Sequence, residues 1–182
     1  MMKKIQFKQA YHPVSAFLIT AAVILTSINM TFSQNSLNPY RDLEPLETMR
    51  DLEYPFEVKY AELPDDIRLA YVDEGSGDHT IIFIHGLGSY LKAWKKNING
   101  LKDQYRCIAI DLPGYGKSSK KPHSGKMSFY AGVVKNLIDK LQLKNLVLAG
   151  HSMGGQISIV AAINYTETIE KHILVDPAGF ET

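Results

Sequence analysis

Leu146-Val147-Leu148-Ala149-Gly150-His151-Ser152-Met153-Gly154-Gly155 is the stretch on which the fold is decided. Residues 146–149 form a short, unbroken apolar run, the composition of a strand covered on both faces. Residues 155–164 are apolar on most sides, as a helix packed against a sheet requires. Between them, Gly150-His151-Ser152-Met153-Gly154 fits the pattern G-x-S-x-G. The bare pattern arises by chance in about one chain in twenty of this length, since Gly and Ser are each roughly 7% of residues. A strand before it, a helix after it and the additional Gly155 make the match informative. Such a turn needs glycine two positions either side of the serine, because side chains there would meet neighbouring backbone. It lifts the serine hydroxyl above the sheet edge and sets it over a helix N-terminus, where dipole and free N–H groups favour negative charge. The plain alternative is a strand-to-helix turn that merely contains a serine.

The same alternation extends upstream. Thr80-Ile81-Ile82-Phe83-Ile84 and Cys107-Ile108-Ala109-Ile110 are two further apolar runs, and Ile173-Leu174-Val175 is a fourth. Residues 127–141 place Val133, Val134, Leu137, Ile138 and Leu141 on one helical stripe, with Lys135, Asn136, Asp139 and Lys140 elsewhere. Ahead of these, Phe56, Val58 and Tyr60 alternate with Glu57, Lys59 and Ala61, and residues 67–72 alternate again. Asp65-Asp66 and Glu74-Gly75-Ser76-Gly77 are turn signals, so the two pieces predict an antiparallel entry hairpin. The order strand, strand, strand, helix, strand, helix, strand, helix, strand predicts a three-layer α/β sandwich around a mostly parallel sheet. Cys107 is expected to be a buried strand residue and Trp94 a packing residue of the first helix.

Two other segments bear on chemistry. His85-Gly86-Leu87-Gly88-Ser89 follows directly on the strand at 81–84. Acyl transfer at a serine needs two N–H donors for the oxyanion, one after the nucleophile and one from a loop after an earlier strand. Met153 would supply the first through its backbone. Leu87 would supply the second, since glycines on both sides let its peptide come close to a substrate. His85 is read as a loop histidine holding backbone in place in preference to a proton carrier. Asp111-Leu112-Pro113-Gly114-Tyr115-Gly116-Lys117-Ser118 invites a phosphate-loop reading, which fails because Asp111 stands where G-x-x-x-x-G-K-[ST] requires glycine. Gly86 and Gly88 do not begin a dinucleotide fingerprint either, because position 91 is Leu91.

With these three segments, His85-Gly86, Asp111 to Ser118 and Gly150 to Gly155, the chain resembles the α/β-hydrolase fold superfamily over residues 54–180. The branch it is similar to holds serine esterases, C–C bond hydrolases, haloperoxidase-like and epoxide-hydrolase-like enzymes. The resemblance implies Ser152 as nucleophile and the Leu87 and Met153 amides as the oxyanion hole. It implies a small-molecule acyl substrate and neither a metal nor an organic cofactor. Similar dehalogenases and epoxide hydrolases carry Asp at the place of Ser152, so ester or amide chemistry is favoured over halide or epoxide chemistry. C–C bond hydrolysis, peptidase or perhydrolase activity, and a non-catalytic binding role on the same fold, are the alternatives.

A serine needs a base, and the base an orienting carboxylate, in the chain order Ser, acid, His for this fold. After Ser152 the one histidine is His172, at the start of the strand around Ile173-Leu174-Val175. His79 and His123 lie in loops and His12 near the start of the chain, none in a position that suits a base. Asp176 precedes Pro177 and is read as a turn residue in preference to the acid. The expectation is therefore an α/β-hydrolase domain incomplete at its C-terminus, with residues 54–182 as its N-terminal part. As a separate 182-residue chain it is expected to hydrolyse esters little or not at all.

At the other end, Lys3, Lys4 and Lys8 precede the apolar run Val14 to Ile28 and then Thr31-Phe32-Ser33. A basic head, apolar middle and small-residue exit predict an export signal over residues 1–33 with Gln34 as mature start. An uncleaved membrane anchor over residues 14–32, or a buried helix, is the alternative. Residues 34–53 are predicted to be a polar linker, with Pro39 and Pro45 discouraging long regular elements. The whole chain has 182 residues, 20 Lys+Arg against 19 Asp+Glu, a formal charge of +1, 45% hydrophobic and 21% charged residues. That balance excludes wholesale disorder and gives no basic face for nucleic acid. The single cysteine rules out an internal disulfide and a Cys-rich zinc site.

Overall fold

The computed structural model describes residues 52–179. The segment expected to be an export signal or anchor, 1–33, and nearly all of the expected linker, 34–53, lie outside the described residues.

The entry hairpin pairs β1 (Lys59–Leu63) with β2 (Ile67–Glu74), antiparallel, from Lys59 opposite Tyr71 to Leu63 opposite Ile67. Asp65 and Asp66 turn the chain at φ 60° and 53°, the positive pair that hairpin turns of type I′ require and that Asp tolerates. The first strand starts later than the alternation suggests: Phe56 and Val58 precede it, half-buried on one layer of the core. Ala61 and Leu63, on the opposite face, enter the other layer.

Four parallel strands follow: β3 (Thr80–Ile84), β4 (Arg106–Ile110), β5 (Leu146–His151) and β6 (Ile169–Val175). They join the hairpin in a six-stranded sheet ordered β1-β2-β4-β3-β5-β6, with β2 antiparallel to β4. Arg106 grips Asp73 through two hydrogen bonds of 2.9 and 2.8 Å, tying β4 to β2 at that antiparallel seam. β3 is buried at all five positions, as its unbroken apolar sequence requires.

Three helices complete the layers. A 3-10 turn at Leu91–Trp94 runs into α1 (Lys95–Leu101), and Leu91, Trp94 and Ile98 pack on Ile81, Phe83, Cys107 and Ala109. Trp94 thus belongs to the turn before the helix, its ring centroid 5.0 Å from that of Phe83. Cys107 is fully buried as expected, and burial, with a smaller effect of Glu74, pushes its thiol up to about 11. On the opposite face lie α2 (Met127–Lys140) and α3 (Met153–Asn164). The helix after Ser152 starts two residues earlier than its apolar run, at Met153. Gly154 brings its backbone against the Ile84 carbonyl, where a Cβ would collide.

β6 is longer than the three apolar residues that betray it, and only Ile169 of it is buried. Ile173, Leu174 and Val175 are 46%, 39% and 43% exposed, and among the described residues nothing pairs with its outer edge. β6 thus forms an apolar sheet edge among the described residues.

Candidate active site

Strand order places the site. From β3 the chain leaves toward α1 on one face, whereas from β5 it leaves toward α3 on the other, and β3 and β5 are neighbours. Connections that diverge from adjacent parallel strands open a crevice at their C-terminal ends. The loop beginning His85-Gly86 and the turn at Ser152 face each other there.

Ser152 has φ 51° and ψ −119°, a region sparsely populated by residues with a side chain. Such a conformation costs on the order of 1–3 kcal/mol and persists only where its surroundings over-determine it. They do: the Ser152 N–H donates to the Val175 carbonyl at 3.1 Å. Its own carbonyl accepts from Gly155, Gln156 and Ala178 at 2.9, 3.2 and 2.9 Å. Held in this way at the N-terminus of α3, the side chain is half-exposed and its hydroxyl caps no helix N–H.

Gly86 packs directly on this turn. A Cβ there would lie 3.1 Å from the Ser152 Cβ and 3.1 Å from His151 Nδ1. Gly86, Leu87, Gly88 and Ser89 form a tight turn closed by Ser89 N–H to the Gly86 carbonyl at 3.3 Å, with Gly88 at φ 70°. Leu87 follows Gly86 and Met153 follows Ser152, so their amides flank the point of contact. Among the described residues neither N–H has an acceptor. The Leu87 side chain is 75% exposed, whereas Met153 is buried.

His85 is 1% exposed and both ring nitrogens face backbone. The Leu112 N–H donates to Nε2 at 3.1 Å, so the ring proton resides on Nδ1, 2.8 Å from the Gly86 carbonyl. Burial pulls its pKa below the usual histidine range. The bracing role expected for His85 fits this geometry: both ring nitrogens are engaged by backbone, and neither faces a serine or substrate proton.

Among the described residues no histidine hydrogen-bonds the Ser152 hydroxyl. His172 pairs with Leu148, three residues back along the sheet from His151, about 10 Å from the crevice end at the usual strand rise. His79 lies at the far end of β3. His123 stacks on Phe129 at 4.8 Å and its Nδ1 accepts from the Gly125 N–H. Asp176 is exposed at φ 44°, the turn conformation expected before Pro177. A cavity of about 300 Å³ opens beside the crevice against Trp94, Asn97, His151 and Val175. Trp94 Nε1 is buried with no acceptor among the described residues.

Asp111 and Tyr54 carried no role in the sequence. Asp111 is fully buried and accepts from Leu91 N–H and Lys117 N–H, each at 2.8 Å, and from the Tyr54 hydroxyl. The available signal was a carboxylate ending an otherwise apolar strand, since a buried carboxylate needs several donors. Among the described residues no group of three His, Cys, Asp or Glu side chains could hold a metal ion.

Residues 79–182 match the family model of the alpha/beta hydrolase fold, and the chain belongs to that family. It is 36% identical over 116 residues to the dihydrolipoyllysine-residue acetyltransferase component of the acetoin cleaving system of Cupriavidus necator, covering 64% of this chain and 31% of that protein. It is 36% identical over 114 residues to an Escherichia coli 2-hydroxy-6-oxononadienedioate/2-hydroxy-6-oxononatrienedioate hydrolase, covering 60% of this chain and 40% of that one. The crystal structure of a probable hydrolytic enzyme from Pseudomonas aeruginosa superposes with a TM-score of 0.70 at 30% identity, over 75% of this chain and 47% of that one. The chain therefore spans less than half the length of each of these three relatives.

Proposed function

We propose that the full-length protein is a serine hydrolase acting on an ester or related acyl substrate through an acyl-enzyme intermediate. The observation that carries this reading is Ser152 itself: a half-exposed hydroxyl on a strained turn, bonded to no helix N–H, at the start of α3 and against Gly86. In the proposed reaction Ser152 Oγ bonds to the substrate carbonyl carbon and loses its proton to a base outside residues 52–179. The carbonyl oxygen takes the negative charge and accepts from the Leu87 and Met153 amides. Collapse expels the leaving group with that proton, and water then releases the acyl group by the same steps. None of this requires a metal or organic cofactor.

Cleavage of a carbon–carbon bond next to a carbonyl is the second reading. The 36% identity to the hydrolase of 2-hydroxy-6-oxononadienedioate, an oxo-diacid, favours it. Turnover of a short-chain aryl ester and of an oxo-diacid by the full-length protein separates the two. In either case it must vanish in Ser152→Ala; activity surviving that change contradicts both. A protein that turns over neither, and whose Ser152 resists acylating reagents, has the binding role instead.

We also propose that the protein is exported, with membrane anchoring through residues 14–32 as the alternative.

A further inference from the structure

Asp111 and Leu112 are consecutive, and between them they hold both ends of the loop that carries Leu87. At the far end, Asp111 Oδ1 accepts the Leu91 N–H at 2.8 Å. At the near end, the Leu112 N–H fixes His85 Nε2 at 3.1 Å, and His85 Nδ1–H fixes the Gly86 carbonyl at 2.8 Å. In a trans peptide the carbonyl and the following N–H point opposite ways. Drawing the Gly86 carbonyl toward His85 therefore directs the Leu87 N–H away from it.

Asp111 itself is held from the other side. Its Oδ2 accepts from Lys117 N–H at 2.8 Å and from the Tyr54 hydroxyl, and no lysine or arginine among the described residues pairs with it. A carboxylate with 0% exposure depends on these donors to replace water, so the segments that supply them are locked together. Gly116, at φ 46°, wraps so closely that a Cβ would strike the carboxylate. The Ser118 hydroxyl closes the loop, donating to the Asp111 carbonyl at 2.6 Å and accepting from Ala70 N–H at 2.7 Å. The segment Asp111 to Ser118 is thus built around its own first residue.

We propose that Asp111 is a positioning residue: its carboxylate holds the Leu91 end of the loop directly and fixes the backbone from which the adjacent Leu112 N–H holds His85 at the other end, and so it sets the direction of the Leu87 amide, with Tyr54 as its outer support. The clamp rests on the proposed role of Leu87 only for its catalytic consequence; its structural consequence stands apart from that role.

Two measurements on the full-length protein test it. In Asp111→Asn either amide orientation sets the NH2 against a backbone N–H donor, at Leu91 on one side or at Lys117 on the other. The rate constant for covalent inactivation by a fluorophosphonate should fall about tenfold, because a displaced donor fails the transition state, while reversible binding changes less than about twofold. Tyr54→Phe should lower the same rate constant by about threefold and serves if the Asn variant does not fold. Amide hydrogen exchange at Leu91 and Leu112 should speed up in both variants, with the β5 amides unchanged. A loss in reversible binding alone, or unchanged exchange at Leu91, overturns the clamp. If the parent protein is not labelled at all, the hydrolase reading fails, and the exchange result still decides the clamp.

Discussion

Gly86 and Ser152 approach so closely that a methyl group on the first would lie 3.1 Å from the Cβ of the second. Two loops from neighbouring strands are brought into contact by the absence of one side chain. Their next residues, Leu87 and Met153, each leave an N–H without an acceptor among the described residues.

Gly86→Ala should therefore damage function more than fold. At 3.1 Å the neighbouring turn must yield by a few tenths of an ångström, and Ser152 is held by four backbone hydrogen bonds that resist this. Acylation of Ser152 by a fluorophosphonate is expected to slow by about ten- to a hundredfold in the full-length protein. The thermal midpoint should fall by only a few degrees, for a loss of about 1 kcal/mol. Equal labelling rates in the two proteins would mean that the Gly86 contact has no bearing on the reaction.

Stability should decline on mild acidification. His85 is harder to protonate in the folded protein than in the unfolded chain, chiefly through burial, and His172 is shifted the same way. Below about pH 6.5 the unfolded chain therefore binds more protons, and stability drops as pH falls through the interval down to the folded values. Thermal midpoints at pH 7.5 and 5.5 should differ less in His85→Gln than in the parent. An undiminished pH dependence in the variant would remove His85 as a contributor.

The apolar outer edge of β6 predicts the behaviour of the 182-residue chain when expressed alone. With Ile173, Leu174 and Val175 at 46%, 39% and 43% exposure, it should self-associate and enhance the fluorescence of a hydrophobic dye. Ile173→Lys should reduce both effects. The same chain should turn over a short-chain aryl ester slowly or not at all, because no histidine among residues 52–179 hydrogen-bonds the Ser152 hydroxyl. Turnover abolished by Ser152→Ala would show that a base had been overlooked.

At the N-terminus, the proposed cleavage leaves Gln34 as the first residue of the mature protein. Terminal sequencing of protein recovered from its native host tests this. Recovery with Met1 in the membrane fraction would favour an anchor over residues 14–32.

How far the sequence disclosed this arrangement follows from what each element depends on. β3, β4 and β5 were legible because a strand covered on both faces must be apolar throughout. α2 was legible because one face of it must be apolar at helical spacing. The turn at Ser152 was legible because steric crowding leaves glycine as the residue that fits on either side. β6 was visible only in its last three residues: its first half, Ile169 to His172, is mostly polar, and its pairing with β5 is a tertiary property. The start of β1 was misjudged because Phe56 and Val58 continue the alternation without joining the ladder. The Asp111 clamp was hidden for a different reason. Its partners are two backbone amides and Tyr54, which lies 57 positions away, and backbone donors leave no mark on residue identity.

The central claim is that Ser152 is held in strain so that its hydroxyl can attack a carbonyl, and one comparison addresses it most directly. Fluorophosphonate labelling mapped by peptide mass should fall on Ser152 in the full-length protein and disappear in Ser152→Gly. That same variant should melt several degrees higher, since glycine adopts φ 51° and ψ −119° without the roughly 1–3 kcal/mol that serine bears. A label on another residue, or a Ser152→Gly protein no more stable than the parent, would contradict the account.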